Sequence, residues 1–426
     1  MKIAIKHGRV VDPASGLDGV RDIYVAAGKI VALGDAPADF HANSEIDATG
    51  LVVAPGLVDL SVRLREPGLE YMATLESEMH AAAVGGVTSL ACPPDTDPPL
   101  DEPGLVEMLK FRAKNSPGPR VYPIGALTWK LKGERLTEMA ELHEAGCVAF
   151  SQADAPMVNT LVLLRAMEYA YTFGFPLWLR PQDYYLAKDG VVHDGVVSAR
   201  YGLPAIPVPA ETVALQTLLL LVRETGCRLH LARLSSRAGV EMVRRAKADG
   251  LPVTCDVGIH HVHLSELDTA DFNAHCHMIP PLRSQRDRDA LRQALLDGTI
   301  DCICSDHAPV DANEKEKPFQ ESEAGATGVE LLLPLTLKWA AEAGLSLSQA
   351  LDRVTRQPAA ILGVDAGQIG VGKPADLCVF DPTAAWTVSH KTLASLGKNS
   401  PFLGHELHGK VRYTVIDGHL DYRSHG

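Results

Sequence analysis

Histidines, arginines and a few aspartates are the side chains of this 426-residue chain whose types and spacing can do chemistry. HCH at 275 to 277 puts two imidazoles on one face of an extended segment, as a zinc chelate requires, and His260, His261 and His263 stand near it in sequence. This is the one stretch where a metal site can form from imidazoles alone. Arg63, Arg180 and Arg233 each follow a short apolar run. If they converge they make an anion pocket, because a guanidinium keeps its charge at neutral pH. For the same reason they repel a dication. His230 lies three residues before Arg233, which on a strand turns it to the other face and reads as a core histidine. Asp59, Asp306 and His307 can serve as hydrogen-bonding groups at strand ends. Arg65 can pair with Glu66 or another loop acid.

The elements that must position these residues are legible as a change of texture. Residues 1–52 read as short Val- and Ile-rich strands broken by Gly, Asp and Pro. From 53 to 363, short uniformly apolar runs such as GVTSLAC, CVAFSQ, RLHLARLS and IDCICSDHAP alternate with helical stretches such as LVEMLKFRAK and GVEMVRRAKADG. Strands buried on both faces and followed by helices fit an α/β fold, a (β/α)₈ TIM-like barrel. Residues 364–426 return to strand and turn, so 1–52 and 364–426 are expected to form one small composite β-sandwich beside the barrel. PAIPVPAE at 204–211 reads as a Pro-rich loop on the surface or the site rim.

Composition narrows the functions. With 40 Lys+Arg against 53 Asp+Glu the formal charge is −13, which opposes nucleic acid as a partner. No run of about 18 apolar residues or signal-like apolar segment is present, so no membrane association is expected. The 8 cysteines form no CxxC and read as reduced core thiols, which suits a cytoplasmic protein.

VVAPGLVDLSVRLREPGLE (52–70) closely resembles the start of the barrel in class I dihydroorotases of the amidohydrolase superfamily, and the resemblance runs over essentially the whole chain. It implies a set of roles, position by position. The family's paired metal histidines fall on Ser61 and Arg63, where a serine is a poor ligand and a guanidinium none. Its bridging acidic pair falls on Gln152 and Ala153 in CVAFSQADAP, with Asp154 one residue late and, by strand alternation, turned away. Two further metal histidines fall on Arg180 in LWLRPQD and Arg233 in RLHLARLSS. Asp306 in ICSDHAP keeps the family's catalytic acid, and Arg65 and Asp95 stand at substrate-binding positions, Asp95 replacing an asparagine. Ile279 and Val310 replace a further asparagine and histidine of the substrate pocket, each loss being worth about 1–3 kcal/mol.

The resemblance therefore implies a non-catalytic homologue, similar to the inactive members that associate with aspartate transcarbamoylase in pyrimidine biosynthesis as oligomeric scaffolds. No cofactor is expected on that reading. An active cyclic amidohydrolase with an atypical zinc centre is the alternative, and an anion or metabolite sensor built on the arginines is a third.

Overall fold

The computed structural model describes residues 1–424. Eight parallel strands pair in chain order: β1 (Leu57–Asp59), β2 (Val87–Cys92), β3 (Arg120–Ala126), β4 (Ala149–Ser151), β5 (Leu177–Leu179), β6 (Leu229–Leu231), β7 (Val253–Gly258) and β8 (Cys302–Cys304). The chain beyond β1 joins the two sides of this sheet. Val62 N–H donates to Ala91 O at 3.1 Å, Arg63 N–H to His307 O at 3.0 Å and His307 N–H to Ser61 O at 3.0 Å. The expected TIM-like barrel is thus the observed fold. Val58, Ala91, Ile124, Ala149, Trp178, Cys302 and Cys304 form one buried cluster drawn from the barrel strands, the packed centre such a barrel needs.

Outside the strands lie α1 (Leu75–Val84), α2 (Pro103–Lys114), α3 (Met139–Ala145), α4 (Thr160–Phe173), α5 (Pro209–Thr225), α6 (Arg237–Ala248), α7 (Gln285–Asp297) and α8 (Leu332–Ala343). Their starts are set by sequence. Ser236 caps α6 by accepting from Gly239 N–H, and Val240, Val243 and Ala246 then fall on its buried stripe. Pro209 opens α5 at its first turn, so the Pro-rich 204–211 segment is not one loop: Ala205–Ile206 pairs as a short strand with Val192–His193, and 209–211 is helix. Glu211, in that first turn, accepts from the backbone N–H and hydroxyl of both Ser235 and Ser236. That clamp fixes the loop carrying Arg233.

Strands from both chain ends share one six-stranded sheet, in the order His419–Arg423, Glu406–Ile416, Leu377–Thr387, Val52–Pro55, Arg9–Asp12, Leu17–Val20. A four-stranded sheet of residues 2–47 shares a core with it through Ile3, Ile5, Val25, Val53, Leu377 and Val415. No helix among the described residues is long and apolar enough to cross a membrane. All 8 cysteines are buried and unpaired, and burial pushes thiols such as Cys92 and Cys378 up to about 12, so they are inert.

Candidate functional site

The barrel mouth gathers one side chain after another from the C-terminal ends of the strands. Ser61 and Arg63 alternate along the extension of β1 and face the same way, as the spacing requires. Asp95 comes from the loop after β2, Asp154 from that after β4, Arg180 from the end of β5, Arg233 from the loop after β6 and Asp306 from that after β8.

These residues meet in one ion-paired cluster. Arg63 donates from Nε to Asp95 Oδ2 at 2.7 Å, from Nη2 to Asp154 Oδ2 at 2.6 Å and from Nη1 to Asp306 Oδ1 at 3.4 Å. Arg180 donates from Nε to Asp154 Oδ1 at 2.8 Å, from Nη2 to the Asp154 carbonyl at 3.0 Å, and to Gln182. Arg233 binds Asp154 Oδ1 and reaches Asp306 Oδ1 at 2.9 Å and the Ile279 carbonyl at 3.2 Å. The Ser61 hydroxyl also donates to Asp306 Oδ1, at 3.3 Å. Three guanidiniums thus face three carboxylates. The arginines do converge, but their charge is cancelled from within, so they do not form the open anion pocket their types suggest.

The electrostatics follow from that packing. Burial alone would push the Asp154 carboxyl up, but Arg233, Arg63 and Arg180 outweigh it and hold it well below the usual carboxylate range. Asp306 is likewise raised by burial and lowered further by Arg233 and Arg63. Burial opposes the charge on Arg63 and Arg233, and the facing aspartates more than restore it.

Asp154 corrects the sequence reading. Strand alternation turned it away from the site, whereas it is the acceptor on which all three arginines close. The strand ends at Ser151, and Ala153 adopts φ +51°, so alternation no longer applies where Asp154 leaves the sheet. Gln152 points elsewhere: it accepts from Thr128 Oγ1 at 2.9 Å and donates to the Leu131 carbonyl at 2.7 Å. Arg65, Arg233 and Asp306 also carry positive φ, at +60°, +57° and +47°. Four strained residues at four strand ends mark a mouth whose backbone is built to aim side chains inward.

Metal fits neither candidate place. At the barrel mouth the positions the resemblance gives to metal ligands carry arginine and serine, and guanidiniums occupy both oxygens of Asp154, Oδ1 of Asp306 and Oδ2 of Asp95. The histidine stretch does not chelate either, because residues 259–263 are helical and 274–276 form a 3₁₀ turn rather than an extended segment. The Nε2 atoms of His260, His261 and His263 go separately to the carbonyls of Thr327, Pro280 and Leu335, and His277 pairs with Ser322 Oγ. Among the described residues no three His, Cys, Asp or Glu side chains converge as a metal would need. His230 bonds Thr254 Oγ1 and Asp256 Oδ2 in the interior, a core histidine.

Above the cluster lies a cleft of about 280 Å³ lined by Arg63, Arg65, Asp95, Arg233, His260, Met278, Ile279, Asp306 and Glu323. Arg65 does not pair with Glu66, whose carboxylate instead takes Arg112. Arg65 donates Nε–H to the Pro309 carbonyl at 2.8 Å and makes no ion pair among the described residues, leaving its terminal nitrogens to the cleft. Glu323 was not foreseen: it lies in an exposed charged loop with no signal to separate it from its neighbours. Val310 is buried and gives its N–H to Asn399.

Beneath the cluster, Asp59 and His307 hold the strands. Asp59 Oδ1 accepts from Ser305 N–H at 3.0 Å and Ser61 N–H at 3.2 Å, and Oδ2 has no partner. Burial pushes this carboxyl up to about 6. A raised folded value means stability present below the unfolded pKa of about 3.9 is lost as pH rises towards 6, at most about 3 kcal/mol. Asp59→Asn is expected to flatten the stability profile between pH 4 and 6, measured by denaturant melts across that window; an unchanged slope would assign the dependence elsewhere. His307 bonds Glu78 at 2.7 Å through Nε2 and accepts Gly328 N–H at Nδ1, so its part is structural.

Comparison with known proteins agrees with the fold. The dihydro-orotase-like family model matches residues 50–239 and the amidohydrolase family model residues 188–420. A dihydroorotase-like protein of Pseudomonas aeruginosa is 47% identical, covering 99% of this chain and all of that relative. A dihydroorotase of Geotalea daltonii is 41% identical over 99% of this chain and all of its own length. Among solved structures, the L-hydantoinase (dihydropyrimidinase) of Arthrobacter aurescens superposes with TM-score 0.85 at 27% identity, covering 98% of this chain and 95% of that one.

Proposed function

The chain belongs to the dihydroorotase-like amidohydrolases, and within that family we propose that it is a non-catalytic member acting as a structural or regulatory subunit of aspartate transcarbamoylase. The observation that carries the non-catalytic part is the closed cluster of Arg63, Arg180 and Arg233 on Asp154 and Asp306. Hydrolysis of a ring amide needs an activated water and a base to take its proton. Without a metal, water keeps a pKa of about 15.7 rather than about 7. Asp306, held by two guanidiniums and lowered in pKa, is a weak base whose Oδ1 already accepts from Ser61, Arg63 and Arg233. The partner rests on the resemblance described above, and a shared assembly gives a reason to keep the barrel while its chemistry is lost.

A ligand-binding role without turnover is a second reading, favoured by Arg65, whose guanidinium faces the cleft unpaired beside Glu323. An active enzyme is the third, supported by the relatives named dihydroorotase. One set of measurements separates them. The purified protein, with and without added zinc, is assayed for dihydroorotate hydrolysis, analysed for metal, melted with carbamoyl aspartate and passed over a sizing column with the aspartate transcarbamoylase chain. Co-elution without turnover is the expected result. Turnover abolished by a chelator would establish the enzyme instead, and thermal stabilisation by carbamoyl aspartate without co-elution would establish the binding role.

A further inference from the structure

A family whose barrel mouth is built around metal, and a chain whose mouth is built around arginine, pose the question of what now holds the strand ends together. The carboxylates of Asp154 and Asp306 project into the same space from the loops after β4 and β8. Two buried or half-buried carboxylates that close repel each other unless a cation lies between them. The guanidiniums are placed between them. Arg233 bridges the two directly and Arg63 bridges both while also binding Asp95. Arg180 closes Asp154 from the third side and adds a bond to its backbone carbonyl. Their side chains are 3–6% exposed, against 31% for Asp154 and 10% for Asp306, so the cations form the inner layer and the carboxylates the outer one.

We infer that this set is a cation site carried by the chain itself, in which tethered guanidiniums neutralise and cross-link the strand-end carboxylates, so that the barrel mouth is braced without metal, with Arg233 as its central member. A dication has no place in it. Tethered guanidiniums already stand between the carboxylates, and a metal would have to displace their N–H donors from both oxygens of Asp154 and from Oδ1 of Asp306. The brace ties the strand extension after β1 to β5 and to the loops after β2, β4, β6 and β8, elements whose backbones do not all pair with one another.

This inference rests on the same arginine–aspartate cluster as the proposed function and adds to it that the cluster carries the stability of the mouth. A brace that fails in a metal-free protein leaves the subunit reading standing, whereas metal uptake sinks both. The test is Arg233→Ala in the full chain, followed by thermal melting. Removing the side chain leaves Asp306 with only Arg63 and Ser61 and opens a space of guanidinium shape. The melting temperature is expected to fall by about 5 °C. Guanidinium chloride at about 10 mM, far below the molar range in which it denatures, is expected to recover part of that loss. Sodium chloride and urea at equal concentration are expected to recover none, and the wild type to gain nothing. The wild type equilibrated with zinc is expected to keep no stoichiometric metal and to melt identically with and without chelator. Should Arg233→Ala not fold, Arg180→Ala, which loses contacts only to Asp154 and Gln182, gives the same readout. An Arg233→Ala protein that melts with the wild type, a destabilised variant deaf to guanidinium, or a wild type that takes up about one zinc per chain and is stabilised by it, would each overturn the assignment.

Discussion

Asp154→Asn is expected to destabilise the protein by about 3 kcal/mol at pH 7, while Asp95→Asn, one turn of the same network away, costs about 1 kcal/mol or less. Asp154 receives Arg63, Arg180 and Arg233 on its two carboxylate oxygens, and Asp95 receives Arg63 alone. An asparagine keeps one acceptor and turns an NH₂ towards a guanidinium, so at least one buried cation loses its partner. Breaking a fully buried pair typically costs about 3–5 kcal/mol. The lower figure is appropriate because Asp154 keeps 31% of its side chain open to the cleft, where solvent screens part of the loss. The pH dependence has a defined sign. A carboxyl whose folded pKa is lowered contributes stability above its unfolded value of about 3.9 and loses it as pH falls below that. The gap between wild type and variant should therefore hold constant from neutral pH down to about 5 and close only below about 4. Urea melts of the three proteins across that range measure both effects. Asp154→Asn within about 0.5 kcal/mol of wild type would mean the cluster is an ornament of the surface and not a brace.

How much of this was legible in the sequence divides along a physical line. Where strand period governs, reading succeeded: Ser61 and Arg63 share a face, and Arg180 directly follows β5 and points into the same mouth, which Arg233 reaches from the loop after β6. The uniformly apolar runs announced a barrel because strands covered on both sides leave no polar face. Where the chain leaves the sheet, period says nothing. Asp154 directly follows Ala153, whose left-handed φ breaks the alternation, and the same composition in a regular strand would have hidden it. The histidines misled for a related reason. HCH and HHVH have chelating spacing only if extended, and both fold into helical turns, which send His260, His261 and His263 each to its own carbonyl and His277 to the Ser322 hydroxyl. Arg65 and Glu323 face one cleft from loops some 250 residues apart, a contact no local pattern encodes. What the sequence did carry was the chemistry of replacement: arginines at the positions the resemblance gives to metal ligands are expected to exclude a metal.

That exclusion leads to the largest expected change. Replacing Ser61, Arg63, Arg180 and Arg233 together by histidine is expected to give a chain that takes up stoichiometric zinc, where the wild type is expected to take up none. The reason lies in what stays behind. Asp154 and Asp306 retain their places but lose every guanidinium that satisfied them, and four imidazoles now surround two anionic carboxylates, a donor set zinc binds. Zinc at about a hundredfold over its dissociation constant should then stabilise the variant by about 2.7 kcal/mol, reversed by chelator. Any one substitution alone should not achieve this, because at least two guanidiniums remain to oppose the dication. Elemental analysis after gel filtration, paired with melting in zinc and in chelator, reads the outcome directly. Hydrolysis is not expected to return with the metal. Ile279 and Val310 offer no side-chain hydrogen bonds to a polar ring, a deficit of about 1–3 kcal/mol for each unmet group, and the natural bridging acids remain Gln152, which points at Thr128, and Ala153. A folded quadruple variant that binds no zinc would show that the backbone at the mouth has moved away from metal geometry as well as its side chains. Uptake without turnover would place the loss of metal and the loss of the substrate pocket as two separable changes in one barrel.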